Sequence, residues 1–389
     1  MGESRGRPRT LFLDHVTVPG GAELALVRML RADPDWNAVV LLPPEPDRGV
    51  FADLPAPVRS SGIAQRFGAS TASGGAQAGN AVRLAVQAIS TRLNRSFRTA
   101  DLVVANTTRS AAYGALAARA SRVPFVVHIR DMADAEALGD AGAAIMRRIV
   151  LPRADGIVAD TRRALASALP FADARIPAAV IPSASGLALR PPRPRSEGPL
   201  VVGMLARLDP WKGQELLLDA FARAFGGSEA RLQLAGSAPF GHEEFAARLG
   251  SRAAELGIRD QLDLLGHVDD VDALLDRWHI GVQASLRPEP LGQNVLQYLA
   301  AGCATVVADE GGPAEWVDDG VNGLRVAPRD TDALAAALRR LGGDPDLRVQ
   351  LGARAAQTPR LQQDAGISAE HRRFYREVLA SRRARRHQG

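Results

Sequence analysis

The residues best suited to chemistry begin with one lysine. Among the 48 lysine and arginine side chains, Lys212 is the single lysine, five residues after Arg207 and just before a helical pattern. A lysine kept in such a background indicates a site that needs a compact point charge, while Arg207 offers a planar fork. Together they predict a clamp for a doubly charged phosphate group at the edge of an α/β sheet. The alternative is that a lone lysine simply falls on a surface turn.

A second chemical segment surrounds Glu289, which stands between Pro288 and Pro290 and is followed by Gly292. The prolines fix the backbone and present the carboxylate at a turn. Gly292 lets the chain enter a helix, whose first N–H groups and positive dipole end form an anion site. Gln297 lies two turns into this helix, so it and Glu289 could meet different parts of one long ligand. The alternative for Glu289 is an exposed loop carboxylate.

The elements that must position these residues are those of an α/β protein. Short apolar runs alternate with helix-length segments, the pattern of parallel sheets with helices on both faces. The predicted strands are residues 10–14, 38–42, 101–105, 124–128, 156–159 and 179–181, then 200–205, 231–235, 261–265, 280–283, 305–308 and 323–326. The predicted helices include 22–31, 109–120, 214–224, 243–256, 331–341 and 368–383. Two doubly wound halves predict ligand binding at the strand ends.

Proline and glycine mark the domain organisation. Residues 190–199 hold four prolines and fit neither a helix nor a central strand, so they predict a linker. We therefore expect an acceptor-binding domain over 1–189, a donor-binding domain over 200–365, and a last helix over 366–389 that packs back toward the first domain. Residues 66–79 are small and flexible and predict a mobile loop, which either closes over an acceptor or is a plain surface connection.

Bulk composition limits the function classes. The 389 residues are 46% hydrophobic and 23% charged, which is typical of a soluble globular protein of two domains. The net charge of +5 comes without clustered basic and aromatic residues, which argues against nucleic-acid binding. The single cysteine, Cys303, excludes an internal disulfide and is predicted to be buried and inert. Neither a dinucleotide fingerprint nor a P-loop motif is present.

Localisation and metal binding follow from what the sequence lacks. It shows no signal peptide and no apolar run approaching 18 residues, so we expect a cytoplasmic protein. The partly apolar, basic segment 83–98 and the basic tail 382–387 are expected to be ordinary surface; peripheral contact with the inner membrane surface is the alternative. No metal is expected, because four scattered histidines show no ligand spacing: His15, His242, His267 and His279.

The C-terminal half resembles the retaining glycosyltransferases of family 4, the glycogen-synthase-like group. The resemblance rests on the Arg207 and Lys212-Gly213 segment, the turn 289–292, and residues 311–315 and 319–323. In the N-terminal half it is thinner and rests on residues 19–23, 106–107 and 127–131. It implies a GT-B architecture, in which two Rossmann-like doubly wound domains face each other across a cleft.

The resemblance also implies roles for individual residues of the second half. Arg207 and Lys212 would hold the diphosphate of a nucleotide sugar and stabilise charge on the leaving group. Glu289 would contact hydroxyls of the transferred sugar. The backbone amides around Leu291 and Gly292 would meet the distal phosphate.

Further implied contacts involve the first half and the nucleoside. Gly20 and Gly21 would approach the same phosphate, where a side chain would be in the way. His128 would line the donor-sugar pocket, with a structural histidine as the alternative, and the backbone around Val268 would meet the nucleobase. At Gln297 the family has a second glutamate that accepts bonds from the ribose hydroxyls. Glutamine loses the charge, so we expect ribose anchoring weaker by about tenfold in affinity.

The implied function is a metal-independent, retaining transfer of a sugar from a nucleotide-diphosphate sugar to an acceptor hydroxyl on a small molecule, glycan or lipid-linked molecule. The high arginine and alanine usage is consistent with a bacterium of high genomic GC content. Two alternatives stay open: a catalytically silent nucleotide-sugar-binding subunit, and a related transferase acting on a sugar-like cyclitol. If the role of Lys212 is correct, Lys212→Ala lowers turnover about a hundredfold or more and leaves folding unaffected.

Overall fold

The computed structural model describes residues 7–64, 74–119, 121–189, 191, 198–238 and 243–388. The chain divides into two compact units. The first unit comprises the chain up to Ser185 together with the segment from Asp364 onward, and the second runs from Gly186 to Gln363. Most of the predicted linker, residues 190–199, lies outside the described residues.

The described elements alternate between strand and helix along most of the chain. The strands are β1 (Thr10–Leu13), β2 (Ala38–Leu42), β3 (Val58–Ser60), β4 (Leu102–Ala105), β5 (Phe125–Ile129), β6 (Gly156–Ala159), β7 (Ala178–Val180), β8 (Val201–Leu205), β9 (Arg231–Ala235), β10 (Leu262–Gly266), β11 (Ile280–Gln283), β12 (Ala304–Ala308) and β13 (Leu324–Val326). The helices are α1 (Gly21–Arg31), α2 (Gly74–Leu93), α3 (Arg95–Arg98), α4 (Thr108–Ala118), α5 (Ala135–Ile145), α6 (Arg162–Ala168), α7 (Gln214–Phe225), α8 (Glu243–Glu255), α9 (Val271–Leu275), α10 (Gln293–Ala300), α11 (Thr331–Gly343), α12 (Pro345–Ala356) and α13 (Asp364–Gln388).

The first unit is built on a parallel sheet in the order β3-β2-β1-β4-β5-β6-β7. Its central strands are apolar runs buried along their whole length, as expected for strands covered by helices on both faces. The strand order reverses between β1 and β4, which pair directly. In doubly wound sheets, ligands bind beyond the carboxyl ends of the strands at such a switch point.

The last helix, α13, belongs to the first unit. Its Tyr375 and Val378 are buried in the same apolar cluster as Phe12 of β1. The indole N–H of Trp36 donates to the Ser368 hydroxyl at 2.7 Å. Gly156 of β6 lies so close that an added Cβ would sit 2.5 Å from the Val378 side chain. The helix therefore completes one covering layer of this sheet.

The second unit has a parallel sheet in the order β10-β9-β8-β11-β12-β13. Here the order reverses between β8 and β11, which are hydrogen-bonded neighbours. Trp278 is fully buried and packs against Gly203 of β8, where an added Cβ would lie 2.0 Å from the indole. The loops that leave β8 and β11 therefore emerge side by side from a rigid base.

The strand predictions are confirmed, with ends within one residue of those observed. Strand β3 was not predicted, because it has three residues and only Val58 among them is apolar and buried. The loop predicted over residues 66–79 is wrong for Gly74–Gly79, which begin α2. Residues 65–73 lie outside the described residues. Small residues such as alanine favour helix as readily as loop, so composition alone misplaced this boundary.

Candidate functional site

The strongest candidate site lies at the switch point of the second unit, where the loops after β8 and β11 touch. Leu286 N–H donates to the Trp211 carbonyl at 2.7 Å. Gly213 has φ 80°, and an added Cβ there would lie 1.9 Å from the carbonyl oxygen of Ala284. Only glycine fits this approach without strain. The tight turn that carries Lys212, residues 210–212, begins at Asp209, whose carboxylate accepts from Trp211 N–H.

Lys212 and Glu289 form a largely buried ion pair in these two loops. The Lys212 Nζ lies 2.9 Å from Glu289 Oε1, and the two side chains are 15% and 7% exposed. The Ser285 hydroxyl donates to the same oxygen, and the Gln283 amide donates to it at 3.4 Å. Burial alone would raise the pKa of Glu289, but the Lys212 charge and these hydrogen bonds hold it below its ordinary value. Glu289 is therefore an ionised carboxylate.

Trp211 supports the cationic side of this site. The Lys212 Nζ lies 4.0 Å from the centre of its ring, and the guanidinium of Arg287 lies 4.2 Å from the same centre. Cations over an indole are held by the negative face of the ring. Trp211 thus places two positive charges beside the Glu289 turn.

Arg207 has a different position from Lys212. Its side chain is 46% exposed and lies 3.9 Å from the Asp209 carboxylate. Its carbonyl accepts from the Gln214 amide at 2.7 Å, which fastens the loop to the start of α7. The two predicted clamp residues therefore share one loop but have different partners, and Arg207 remains accessible to a ligand.

Gly311 and Gly312 pack against the backbone of the turn that carries Glu289. Gly312 N–H donates to the Glu289 carbonyl at 2.7 Å. An added Cβ on Gly311 would lie 2.5 Å from that same carbonyl oxygen, and one on Gly312 would lie 2.3 Å from the Pro290 carbonyl oxygen. The glycine pair, noted in the sequence only as part of a resemblance, has a packing role that fixes the backbone of the turn that carries Glu289.

Helix α10 begins at this turn. Gly292 is its N-cap with φ 74°, a left-handed conformation that suits glycine, and it has no side chain with which to cap the first N–H groups. Leu291 is buried, in a cluster with Val295. The amides of Leu291 and Gly292, the predicted anion site, thus lie at the N-terminus of a helix.

Gln297 lies further along α10 and lines a small depression at the surface of the second unit. The other residues of its wall are Gly186, Leu187, Ala188, Asp272, Ala300 and Ala301. This wall includes neither Lys212 nor Glu289. Val268, predicted to meet a nucleobase through its backbone, is half-buried after β10 and packs in the cluster that contains Leu274 of α9.

The switch point of the first unit holds a polar cluster that sequence reasoning missed. Asp14 follows β1, and its Oδ2 accepts from the Asn106 amide, after β4, at 2.6 Å. His15 Nδ1 lies 2.9 Å from the Thr107 hydroxyl. Glu23 is buried beside them, and ligand atoms of Asp14, His15 and Glu23 lie within 4.8 Å of one another. Only their position at two neighbouring strand ends could have signalled this grouping.

The charge state of this cluster is unusual. Burial, followed by the charge of Asp14, raises the pKa of Glu23 to about 8. Its carboxylate folds back over Gly20, where an added Cβ would lie 2.3 Å from Oε2. Gly20, predicted with Gly21 to approach a phosphate, therefore makes room for the Glu23 carboxylate at the start of α1.

His128 lies in the core of the first unit. Its side chain is 4% exposed, and Nε2 lies 3.0 Å from Asp160 Oδ1. Its ring is 5.4 Å from that of His371 on α13. Burial and the nearby Arg130 lower the pKa of His128, against the opposing effect of Asp160. These surroundings favour the structural alternative stated for His128 over a role in lining a pocket.

The remaining candidates are dispersed. Cys303 is fully buried, which confirms that part of its prediction. His267 is exposed and lies 3.2 Å from Asp269. His279 Nδ1 accepts from Val201 N–H at 3.0 Å and thus ties β8 to the start of β11. His242 lies outside the described residues.

Comparison with known proteins places this geometry in context. Residues 188–358 match the family model described as glycosyl transferases group 1. The chain is 32% identical over 269 residues, 68% of its length and 27% of the relative, to the exopolysaccharide phosphotransferase SCO2592 of Streptomyces coelicolor. It is 31% identical over 163 residues, 42% of its length and 45% of the relative, to the lipopolysaccharide core biosynthesis glycosyltransferase LpsE of Rhizobium meliloti. The chain thus spans less than half of these curated relatives.

Solved structures resemble the chain over nearly its full length. Anabaena Alr3699/HepE in complex with UDP-glucose has a TM-score of 0.76 and 23% identity, over 95% of this chain and 99% of that one. Sucrose-phosphate synthase from Thermosynechococcus elongatus has a TM-score of 0.80 and 18% identity, over 96% and 100%. The fold class predicted from the sequence is confirmed. The chain therefore has the GT-B fold, and residues 188–358, within its second unit, match the glycosyl transferases group 1 model.

Proposed function

We propose that this chain is a retaining glycosyltransferase of family 4, which moves a sugar from a nucleotide-diphosphate sugar to an acceptor hydroxyl. The observation that carries the proposal is the buried Lys212–Glu289 ion pair, 2.9 Å long, at the switch point of the matched domain. Doubly wound sheets bind nucleotides at such points. Burying a charged pair carries a desolvation penalty, and we infer that the pair is kept because it contacts a ligand.

Glu289 is the residue we assign to the donor sugar. Its described contacts, from Lys212, Ser285 and Gln283, all go to Oε1. Oε2 is then the oxygen that accepts a sugar hydroxyl, with its direction fixed by the three contacts to the other oxygen. Because the carboxylate is ionised, that hydrogen bond is charge-assisted and stronger than a neutral one.

Arg207, Lys212 and the start of α10 are assigned to the diphosphate. As the bond to the sugar breaks, negative charge grows on the leaving phosphate, and preorganised positive groups stabilise it by about 2.7–4 kcal/mol for each well-placed contact. In the retaining reaction that we propose, the acceptor attacks from the same face and the leaving phosphate takes its proton. We propose that no metal cofactor is needed, since these cations serve the diphosphate; activity unchanged in excess EDTA is the expected result.

A UDP-sugar is the donor we favour, because the structure of Anabaena Alr3699/HepE is described with UDP and with UDP-glucose. Gln297 then stands where the family's second glutamate would accept from the ribose. We expect Gln297→Glu to tighten UDP binding about tenfold by adding a charge-assisted bond, and to leave pyrophosphate binding unchanged. Isothermal titration with both ligands measures this. Equal gains for UDP and pyrophosphate would place residue 297 away from the ribose.

A surface glycan or its lipid-linked precursor is the acceptor class we propose. Support comes from the names of two relatives, the exopolysaccharide phosphotransferase of Streptomyces coelicolor and the lipopolysaccharide core biosynthesis glycosyltransferase of Rhizobium meliloti. The name of the first of these refers to phosphotransfer, but the match covers only 27% of that protein. A screen of glycan, small-molecule and cyclitol acceptors distinguishes this proposal from the cyclitol alternative.

The decisive experiment measures UDP release from UDP-sugars by the purified chain, without and with acceptors. The proposal expects slow donor hydrolysis, retained anomeric configuration in the product, and loss of about a hundredfold or more in Lys212→Met. Arg340→Met, which removes an exposed charge on α11 of the same unit, is the matched control. Tight UDP binding with no turnover under any condition would instead identify the silent binding subunit.

A further inference from the structure

Helix α2 carries an unusual stripe of exposed apolar side chains. Val82, Val86, Ile89 and Leu93 are 63%, 38%, 60% and 67% exposed. At about 100° per residue, these four project within about 60° of one another. Single exposed apolar residues are ordinary on protein surfaces, but a contiguous row of four on one helix marks an interaction surface.

The opposite face of α2 accounts for how the helix is held. Gln87, Ala88 and Thr91 are buried there, and Ala88 belongs to the apolar cluster that includes residues of α4. The Gln87 amide also bonds the Ser61 carbonyl at 2.9 Å and accepts from Ile63 N–H at 3.1 Å. The helix is thus fixed on its inner side by ordinary packing, so the outer stripe is not part of the core of the first unit.

Charge around the stripe is of one sign. From residue 54 to residue 100 the sequence has no aspartate or glutamate, whereas it holds six arginines. On α2, Arg83 and Arg92 lie about 90° to either side of the stripe by helical geometry. Arg95 and Arg98, on the short helix α3 beyond its end, are exposed. A narrow apolar row flanked by arginines is the pattern of a helix that lies in the plane of a membrane interface.

We propose that the outer face of α2, with α3, docks the chain on an anionic lipid bilayer. The apolar stripe would enter the boundary between headgroups and acyl chains, and the exposed arginines of α3, Arg95 and Arg98, would meet the lipid phosphates. A second copy of the chain fits less well, because pairing two identical faces would bring these arginines together. Four side chains are also fewer than a stable protein interface needs, about 20–30 residues on each side. None of the helices in the described residues has the length and apolar content needed to cross a bilayer, so this contact would be peripheral.

The test is sedimentation of the full chain with vesicles of phosphatidylcholine alone and of phosphatidylcholine mixed with phosphatidylglycerol. We expect binding to the anionic vesicles, weakened about tenfold or more in Ile89→Ser/Leu93→Ser and in Arg95→Gln/Arg98→Gln, and weakened further by salt. The matched controls are Val349→Ser, a 73% exposed valine on α12, and Arg340→Gln on α11. Both controls should bind like the unaltered chain.

Three results would overturn the proposal: no binding to anionic vesicles, equal binding by the stripe variants and the controls, or equal binding to uncharged vesicles. If size-exclusion chromatography with light scattering instead shows a dimer that the stripe variants abolish, the occupant is a second copy and the lipid proposal fails. All substituted side chains are exposed, so thermal unfolding near that of the unaltered chain is expected. The outcome is independent of the transferase proposal, because it measures binding and not turnover.

Discussion

Removing either member of the Lys212–Glu289 pair should cost both stability and turnover, and removing both should cost less stability than the two single losses added together. Lys212→Met keeps the apolar stem of the side chain over Trp211 and deletes the charge. Glu289→Gln keeps the shape and an acceptor for the Ser285 hydroxyl. The ion pair changes the sequence-based expectation that substituting Lys212 leaves folding unaffected. Loss of the Lys212 charge leaves the Glu289 carboxylate, which is 7% exposed, without its cation.

The magnitude follows from burial. Exposed ion pairs contribute about 0–1 kcal/mol, whereas breaking a buried pair from one side costs about 3–5 kcal/mol. With Lys212 15% exposed and still over an indole ring, we expect Lys212→Met to cost about 3 kcal/mol and Glu289→Gln about 2 kcal/mol. The double variant should cost about 3 kcal/mol, which leaves a coupling free energy of about 2 kcal/mol.

The assay is urea unfolding of the four proteins of the cycle, with UDP release from the donor measured on the same samples. Additive free energies of unfolding would refute the ion pair as a coupled, buried interaction. Turnover should stay low in the double variant whatever its stability, because the site no longer offers the ligand either charge. A double variant with restored turnover would show that the pair matters only for folding.

Three further predictions concern buried groups and backbone. Burial lowers the pKa of His371 to about 3. The neutral ring therefore stabilises the fold above pH 6.5, and the free energy of unfolding falls by about 2 kcal/mol between pH 7 and pH 5. His371→Leu should remove this fall, and a profile of melting temperature against pH that the substitution leaves unchanged would contradict the prediction. Glu23 acts in the opposite direction: its raised pKa of about 8 means that stability is highest below pH 4.5 and falls by at most about 4 kcal/mol as pH rises to 8, so Glu23→Gln should flatten that fall in thermal melts. Gly213→Ala should cost well over the about 1 kcal/mol expected for Gly257→Ala, because both have positive φ but only Gly213 faces a carbonyl oxygen, 1.9 Å from an added Cβ; equal melting temperatures would refute the close approach.

The fold was largely predictable because its central strands are buried along their whole length. A run such as Ala38–Leu42 has no polar residue, and both faces of the strand are covered, so composition alone marks it. Strand β3 was not predicted, because this edge strand has three residues and only Val58 among them is apolar and buried. Helix α2 was misplaced at its start, since alanine and glycine in residues 74–79 do not distinguish a helix from a loop.

The site was predictable in its residues but not in its contacts. Lys212 stood out by composition and Glu289 by its flanking prolines, yet they are far apart in the sequence. Their ion pair depends on β8 and β11 being neighbours in the sheet. Local sequence patterns do not predict the order of strands in a sheet. The same holds for Asp14 with Asn106, which the pairing of β1 and β4 brings together. His128 looked accessible at a strand end, and only the return of α13 encloses it.

That return has a consequence for synthesis on the ribosome. One covering layer of the first unit's sheet is incomplete until α13 has been made, and all of the second unit, Gly186–Gln363, is translated before that helix. Domains usually fold in the order in which they emerge, but here the second-made unit is contiguous and can finish first. The apolar surface around Phe12 and Gly156 must therefore wait, uncovered, for a helix encoded more than two hundred codons later. A nascent chain halted before Asp364 should thus protect the second sheet from protease while leaving the first one cleavable.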